Sequence, residues 1–226
     1  DMGYADALRI IDLAASAESD ADLVGTVVAH GTDTMEDVAF LASLFHGGAK
    51  PVVFTGAQRA PGAPGADGMA NLLDALNVAT APAARGIGSA IVFGGRILPA
   101  AHALKLDSSA PEAFGPHSAE IGRVDDAGLR LEVLPRRRPA FARVAPDPTV
   151  EVVALALGST GRQVDLLVDA GVRGIVVQGF GRGNVPTGVL PALERAWAAG
   201  VLLGIATHSI AGGTAPSYAS VAARSK

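Results

Sequence analysis

The chain has 226 residues, enough for one large domain or two small ones. Hydrophobic residues make up 49% and charged residues 18%, so a sizeable core is available, and 28 glycines with 14 prolines fit many short loops. A net charge of −4 argues against nucleic acid as the main partner, and the absence of Cys excludes disulfides, thiolate catalysis and Cys-based zinc sites. No apolar run approaches the roughly 20 residues that span a membrane.

Apolar residues at helical spacing, Leu8, Ile11 and Ala15, predict a helix over Tyr4–Ser16. A β-branched strand follows at Leu23–Ala29, then a helix at Met35–Phe45 with Val38, Leu41 and Phe45 on one face. Pro51–Thr55 reads as a short buried strand, residues 58–68 as a loop, Met69–Thr80 as a helix and Ser89–Phe93 as the next strand. Strands alternating with helices of this length imply an α/β fold with a parallel sheet covered on both faces. After Gly94 the pattern loosens, with short strands expected near 97–101, 120–124 and 129–133. A second alternation begins by Pro148: strand Glu151–Leu157, helix Gln163–Ala170, strand Gly174–Gln178, helix Val189–Ala199 and strand Val201–Ala206. The expected organisation is a larger N-terminal domain over 1–135, a linker over 136–148 and a smaller α/β domain over 149–226. Arg136-Arg137-Arg138 between two prolines reads as a solvated linker. Asp1 is not an initiator Met, no signal-peptide pattern follows it and no closing helix precedes Lys226, so residues are expected to precede and follow those given.

The most informative run is Val27-Val28-Ala29-His30-Gly31-Thr32-Asp33-Thr34-Met35-Glu36. An apolar strand passes through a His-Gly turn straight into a helix start, packing two hydroxyls and a carboxylate into the turn. A helix N-terminus carries partial positive charge and free N–H groups, which suits a small anionic ligand. Thr and Asp there also supply a nucleophile and a charge partner. Local spacing alone fits a plainer reading, in which Thr34 and Asp37 form a capping pair. His30 is expected to be structural, packed under the turn with its ring hydrogen-bonded. His46, His102, His117 and His208 show no ligand spacing, so no metal is expected. Gly179-Phe180-Gly181-Arg182-Gly183 lacks both the Walker lysine and the dinucleotide glycine spacing, and reads as a strand-to-helix turn. Trp197 and Tyr218 are expected to pack.

The run His30-Gly31-Thr32-Asp33-Thr34-Met35-Glu36 resembles the second signature of the bacterial L-asparaginase/glutaminase family. The resemblance continues in Lys50-Pro51-Val52-Val53-Phe54-Thr55-Gly56-Ala57-Gln58-Arg59, in Ala66-Asp67-Gly68 with Asn71-Leu72-Leu73-Asp74-Ala75, and in Gly174 through Pro186. Asp1-Met2 is similar to the end of the family's substrate-binding Ser-x-Asp-Met segment. The matches keep their order over nearly the whole chain.

The resemblance implies roles for individual residues. Thr32 is the second catalytic threonine, and Asp33 binds the substrate α-amino group. Lys105, in Ala103-Leu104-Lys105-Leu106-Asp107-Ser108-Ser109, is the buried lysine that activates a threonine hydroxyl. Ala57 contacts the side-chain amide through its backbone, Asp1 and Gly31 line the substrate site, and Asn184 reaches into a neighbouring subunit. A free Thr is a weak nucleophile at neutral pH, so amide hydrolysis needs a base beside it. Lysine serves once desolvation or neighbouring charge lowers its pKa, an acid orients it, and backbone N–H groups stabilise the oxyanion. Without the family context, Lys105 in a polar stretch reads as a surface residue.

The implied activity is hydrolysis of L-asparagine to L-aspartate and ammonia through a threonine acyl-enzyme, without cofactor. The implied assembly is a homotetramer with sites at a dimer interface, and the expected compartment is the cytoplasm, with periplasm or secretion left open. The family's first signature, a Thr-Gly-Gly-Thr run with the primary nucleophile, does not occur in the 226 residues; on this reading it precedes Asp1, and the residues given are not competent alone. Ala29 stands where the family often has Thr. Three alternatives stay open. One is a glutaminase-asparaginase with a wider pocket. Another is the amidotransferase subunit that supplies ammonia to a mischarged transfer RNA. The third is a non-catalytic homologue that binds an amino acid.

Overall fold

The structure is a computed structural model that describes residues 2–137 and 139–215; Asp1, Arg138 and Tyr218 lie outside the described residues. The chain divides into two compact units, Asp1–Ala145 and Pro146–Lys226.

The first unit opens with helix α1 (Tyr4–Ser19), strand β1 (Thr26–Ala29), helix α2 (Met35–Phe45), strand β2 (Val52–Thr55), helix α3 (Gly68–Thr80) and strand β3 (Ser89–Phe93). Strands β4 (Arg96–Pro99), β7 (Gly122–Asp125) and β8 (Gly128–Leu131) complete a six-stranded sheet of order β1-β2-β3-β4-β7-β8. Strands β1, β2 and β3 are parallel, with Thr26 opposite Val52 and Val52 opposite Ser89. At Gly94 and Gly95 the chain reverses with φ of 57° and 71°. This left-handed pair is cheap only for glycine and matches a two-residue hairpin. From there the pairing is antiparallel. The α/β class is as expected, and the sheet is mixed because the segment after Gly94 returns by hairpins instead of crossover helices.

Every residue of β2 and β3 is buried. These strands read as unbroken apolar runs because both of their faces are covered. Helices α1 and α2 pack Ile11, Met35 and Val38 against Phe54 and Ile91 on one face. Helix α3 packs Ala75 and Val78 against Val53 and Val92 on the other.

In the first unit two boundaries lie three residues from expectation, for tertiary reasons. Helix α1 runs three residues beyond Ser16 because its end is clasped from outside. Glu18 accepts from the backbone N–H groups of Ala49 and Lys50 at 3.1 and 3.0 Å, and Lys50 Nζ donates to the carbonyls of Ala17 and Asp20 at 2.9 and 2.5 Å. Strand β1 begins at Thr26 instead of Leu23. Gly25 presses against α3, where a Cβ would lie 2.4 Å from the Ala79 carbonyl, and Leu23 and Val24 are exposed. The arginine run is not wholly solvated either. Arg137 donates to the carbonyls of His46 and Gly48 at 2.5 and 2.6 Å, satisfying acceptors past the C-terminus of α2.

The second unit is a three-stranded parallel sheet of order β11-β10-β9, from β9 (Val150–Ala154), β10 (Gly174–Gly179) and β11 (Leu202–Thr207). Helices α4 (Arg162–Asp169) and α5 (Leu190–Ala198) pack Val164, Ala192 and Leu193 against Val153, Ile175 and Val177. Trp197 does not pack as expected and is 62% exposed. The helical period turns Ala192, Leu193 and Ala196 inward and leaves the next position outside. No helix among the described residues is long and apolar enough to cross a membrane.

Candidate active site

The carboxyl ends of β1 and β2 lie side by side, since the His30 N–H donates to the Thr55 carbonyl at 2.8 Å. Open α/β sheets bind ligands at this edge. The two turns touch so closely that a Cβ on Gly56 would sit 2.3 Å from the His30 carbonyl oxygen, so only glycine fits there. His30 is buried as expected, its Nδ1 lies 2.7 Å from the Gly31 carbonyl, and its ring meets Phe54 edge-on at 6.4 Å. A carbonyl only accepts, so the proton sits on Nδ1; Nε2 is buried without a partner among the described residues.

Thr34 occupies the N-cap of α2, with φ −123° and ψ 11°, and its side chain makes no capping bond. The Thr34–Asp37 capping pair expected from spacing is therefore absent. The backbone at Thr34 lies away from the extended conformation in which a cap hydroxyl reaches the N–H two or three residues on.

Thr32 and Asp33 meet Lys105 instead. The residues from Ala100 to Phe114 return over the face covered by α1 and α2, where Ala100, Ala103, Ala113 and Phe114 join the core. A short antiparallel pair of β5 (Leu104–Lys105) and β6 (Phe114–Gly115) then presents Lys105. Its Nζ lies 2.8 Å from Thr32 Oγ1 and 2.9 Å from Asp33 Oδ1. The lysine side chain is 18% exposed and the aspartate 95% exposed, so the amine is inside and the carboxylate faces open space. The Lys105 backbone N–H donates to the Glu36 carboxylate from the first turn of α2. One helix start thus supplies the partners of the lysine side chain and of its backbone.

A second network shapes the turn that holds Ala57. Asn71 is buried on α3 and donates to the Gly56 carbonyl at 2.9 Å and to Asp67 at 3.1 Å, while its oxygen accepts from the Gly94 N–H at 3.0 Å. Asp67 accepts from the backbone N–H groups of Gln58 and Arg59, each at 2.9 Å for its shorter contact. Burial pushes the Asp67 carboxyl up, but these donors and the Asn71 amide outweigh it and hold it below the usual carboxylate range. Ala57 itself is exposed at the sheet edge.

Among the sequence-derived residues, Gly31, Thr32, Asp33 and Lys105 come together and Ala57 lies on the adjoining turn. Asp1 is outside the described residues. Asn184 belongs to the second unit, in a tight turn where it exchanges backbone hydrogen bonds with Phe180 at 2.8 and 2.9 Å. Glu36 and the Asp67–Asn71 pair were not assigned roles from sequence. The signal for the pair was an acid just before a helix with an amide four residues on, which places both at one end of one face. Among the described residues no group of three or more His, Asp or Glu side chains could hold a metal ion.

Residues 1–136 match the family model described as asparaginase, N-terminal, and residues 149–226 match that of the glutaminase/asparaginase C-terminal domain. A protein named L-asparaginase from Bacillus licheniformis is 33% identical over 86% of this chain and 61% of its own length. One named glutaminase-asparaginase from Pseudomonas aeruginosa is 32% identical over 87% of this chain and 56% of its own length. The chain thus spans about three-fifths of the curated relatives it matches. The crystal structure of a probable cytoplasmic L-asparaginase from Campylobacter jejuni superposes with a TM-score of 0.87 at 26% identity, covering 95% of this chain and 71% of that one. With both family models matched in order along the chain, the protein belongs to the asparaginase/glutaminase family.

Proposed function

We propose that the whole protein hydrolyses the side-chain amide of L-asparagine to L-aspartate and ammonia. The observation that carries this reading is the Thr32–Lys105–Asp33 contact, 2.8 and 2.9 Å, at the carboxyl edge of a parallel sheet. A hydroxyl, an amine base and an orienting acid within hydrogen-bond reach form the arrangement that amide hydrolysis by a threonine requires. As the free amine, Lys105 accepts the proton of the attacking oxygen. The proton passes to the amide nitrogen as the C–N bond breaks, and ammonia leaves. Water then cleaves the threonine ester, giving its proton back to the threonine oxygen.

Thr32 serves as the second threonine, the primary nucleophile coming from the family's first signature. Asp33, open to solvent, receives the substrate α-ammonium group. The backbone of Gly31 and Thr32, in the turn that leads into α2, receives the α-carboxylate, and the turn at Ala57 faces the amide. Asn184 completes the site of a neighbouring subunit in a homotetramer. We place the protein in the bacterial cytoplasm, a reading supported by its likeness to the probable cytoplasmic L-asparaginase of Campylobacter jejuni. The relative named glutaminase-asparaginase favours a second reading, in which the same site also accepts L-glutamine.

The test is ammonia release from L-asparagine and L-glutamine by the whole protein and by its Lys105→Ala variant. Release from asparagine that collapses in the variant is expected. A folded protein that binds aspartate but releases ammonia from neither amide would instead be the amino-acid-binding homologue.

A further inference from the structure

Arg96 is the bulkiest fully buried side chain in the described residues, 2% exposed, and the site described above leaves it without a part. It lies on β4, paired across the hairpin with Phe93. Its Nη1 donates to the Phe114 carbonyl at 2.7 Å and its Nε to Glu120 Oε2 at 3.0 Å. Its Nη2 is buried without a partner among the described residues. A guanidinium buried with one arm unpaired is a costly way to hold an interior strand, and apolar residues of similar volume commonly do so at no loss of stability.

The residue that Arg96 grips explains the expense. Phe114 is the β6 partner of Lys105. The β5–β6 pairing has only two rungs, Leu104 with Gly115 and Lys105 with Phe114. So short a ribbon does not hold its own geometry. Lys105 is anchored on one side by Glu36, through its backbone N–H. On the other side the anchor is Phe114, whose carbonyl is held by Arg96 and whose ring meets Phe93 edge-on at 5.1 Å. Glu120 aims the guanidinium and is itself bound by Arg123, so it stays paired if Arg96 is removed.

We infer that Arg96 is a positioning residue for the reaction: by fixing Phe114 it sets where the Lys105 amine stands relative to Thr32. This rests on the reading of Lys105 as the base. A displacement of the order of 1 Å in a reacting group costs about a hundredfold in rate.

The experiment measures kcat and KM for asparagine hydrolysis, with melting temperatures, for Arg96→Met, Arg96→Lys, Lys105→Ala and the double variant Arg96→Met/Lys105→Ala. Arg96→Met is expected to lower kcat about tenfold to a hundredfold while KM changes less than about threefold. Arg96→Lys, which keeps the charge and loses the fork, is expected to fall between it and the parent. In the Lys105→Ala background the Arg96→Met change is expected to cost less than about twofold, because the group it positions is gone. An equal loss in both backgrounds, or a loss in which KM rises in step and that follows the melting temperature, would overturn the inference. Should Arg96→Met fail to fold, Arg96→Lys carries the same cycle. If Lys105→Ala itself retains the parent rate, the reading of Lys105 as the base fails first, which separates the two failures.

Discussion

The two units solve the same problem with sheets of different completeness. In the first, β2 and β3 are covered on both faces and buried throughout. In the second, α4 and α5 cover one face of the sheet, while Val152 on β9 and Leu202 on β11 are 67% and 72% exposed. The chemistry divides the same way. The first sheet extends through β4 and an antiparallel return, and that return brings Lys105 back to the turn after β1. The second has no such return among the described residues, and the loop after β10 presents Asn184 alone from the proposed set. A parallel sheet by itself supplies turns and helix starts at its carboxyl edge. An amine base beside them needs a segment that crosses back.

That contrast can be broken by mutation, beginning where the effect is greatest. Lys105→Ala in the whole protein is expected to lower kcat about 10²- to 10⁴-fold, the range of general acid–base contributions. Asn184→Ala is expected to act mainly on KM and by no more than about tenfold, since a single hydrogen bond is at stake. Steady-state ammonia release checks both, and an Asn184 effect on kcat as large as that of Lys105 would erase the asymmetry between the units.

Core stability should follow the same division. Phe54→Ala, in the doubly covered strand β2, is expected to cost about 3–5 kcal/mol in denaturant unfolding. Asn71→Ala is expected to cost about 2 kcal/mol, because it strands the Gly56 carbonyl and the Gly94 N–H. It should also lower activity by loosening the Ala57 turn; activity unchanged at that stability cost would detach the network from the site.

Groups of the first unit make stability depend on pH. Burial pushes the His46 imidazole below its ordinary 6.5, and Arg137 repels its charged form, against opposing help from the Lys50 carbonyl and Glu18. The unfolded chain therefore binds this proton first, and stability falls as pH drops through about 6.5. A second loss follows in more acid solution. Burial pushes Glu18 and Asp67 up, but backbone N–H donors hold both below their ordinary values, so their contribution is lost as pH falls through those lowered values. Melting curves against pH should show both steps, and His46→Gln should remove the first alone. The smallest effect expected is that of Leu202→Ala, within about 0.5 kcal/mol, because an exposed side chain has little burial to lose. A loss of several kcal/mol there would mean that the open face is covered in the working protein.

Much of this was legible in the chain. Helix α2 and strand β3 have the limits that their patterns predicted, since their apolar periodicity and their burial coincide. The Thr32–Asp33 pair was legible from the strand–turn–helix run, and Lys105 from its resemblance to the family, although its polar neighbourhood suggested the surface. The two-rung β5–β6 pair was not, because two residues carry no periodicity. Glu36 read only as the last residue of the signature run, and Arg137 as one of three solvated charges, because their partners lie 69 and 89 or more residues away in sequence. Local pattern determined which segments form helices and strands and which turns carry hydroxyls and acids. Tertiary structure decided which of those groups meet, where α1 stops, and that Arg96 is buried against the strand that pairs with Lys105. Contacts between distant segments are set by the packing of the whole sheet, and no short stretch of residues encodes it.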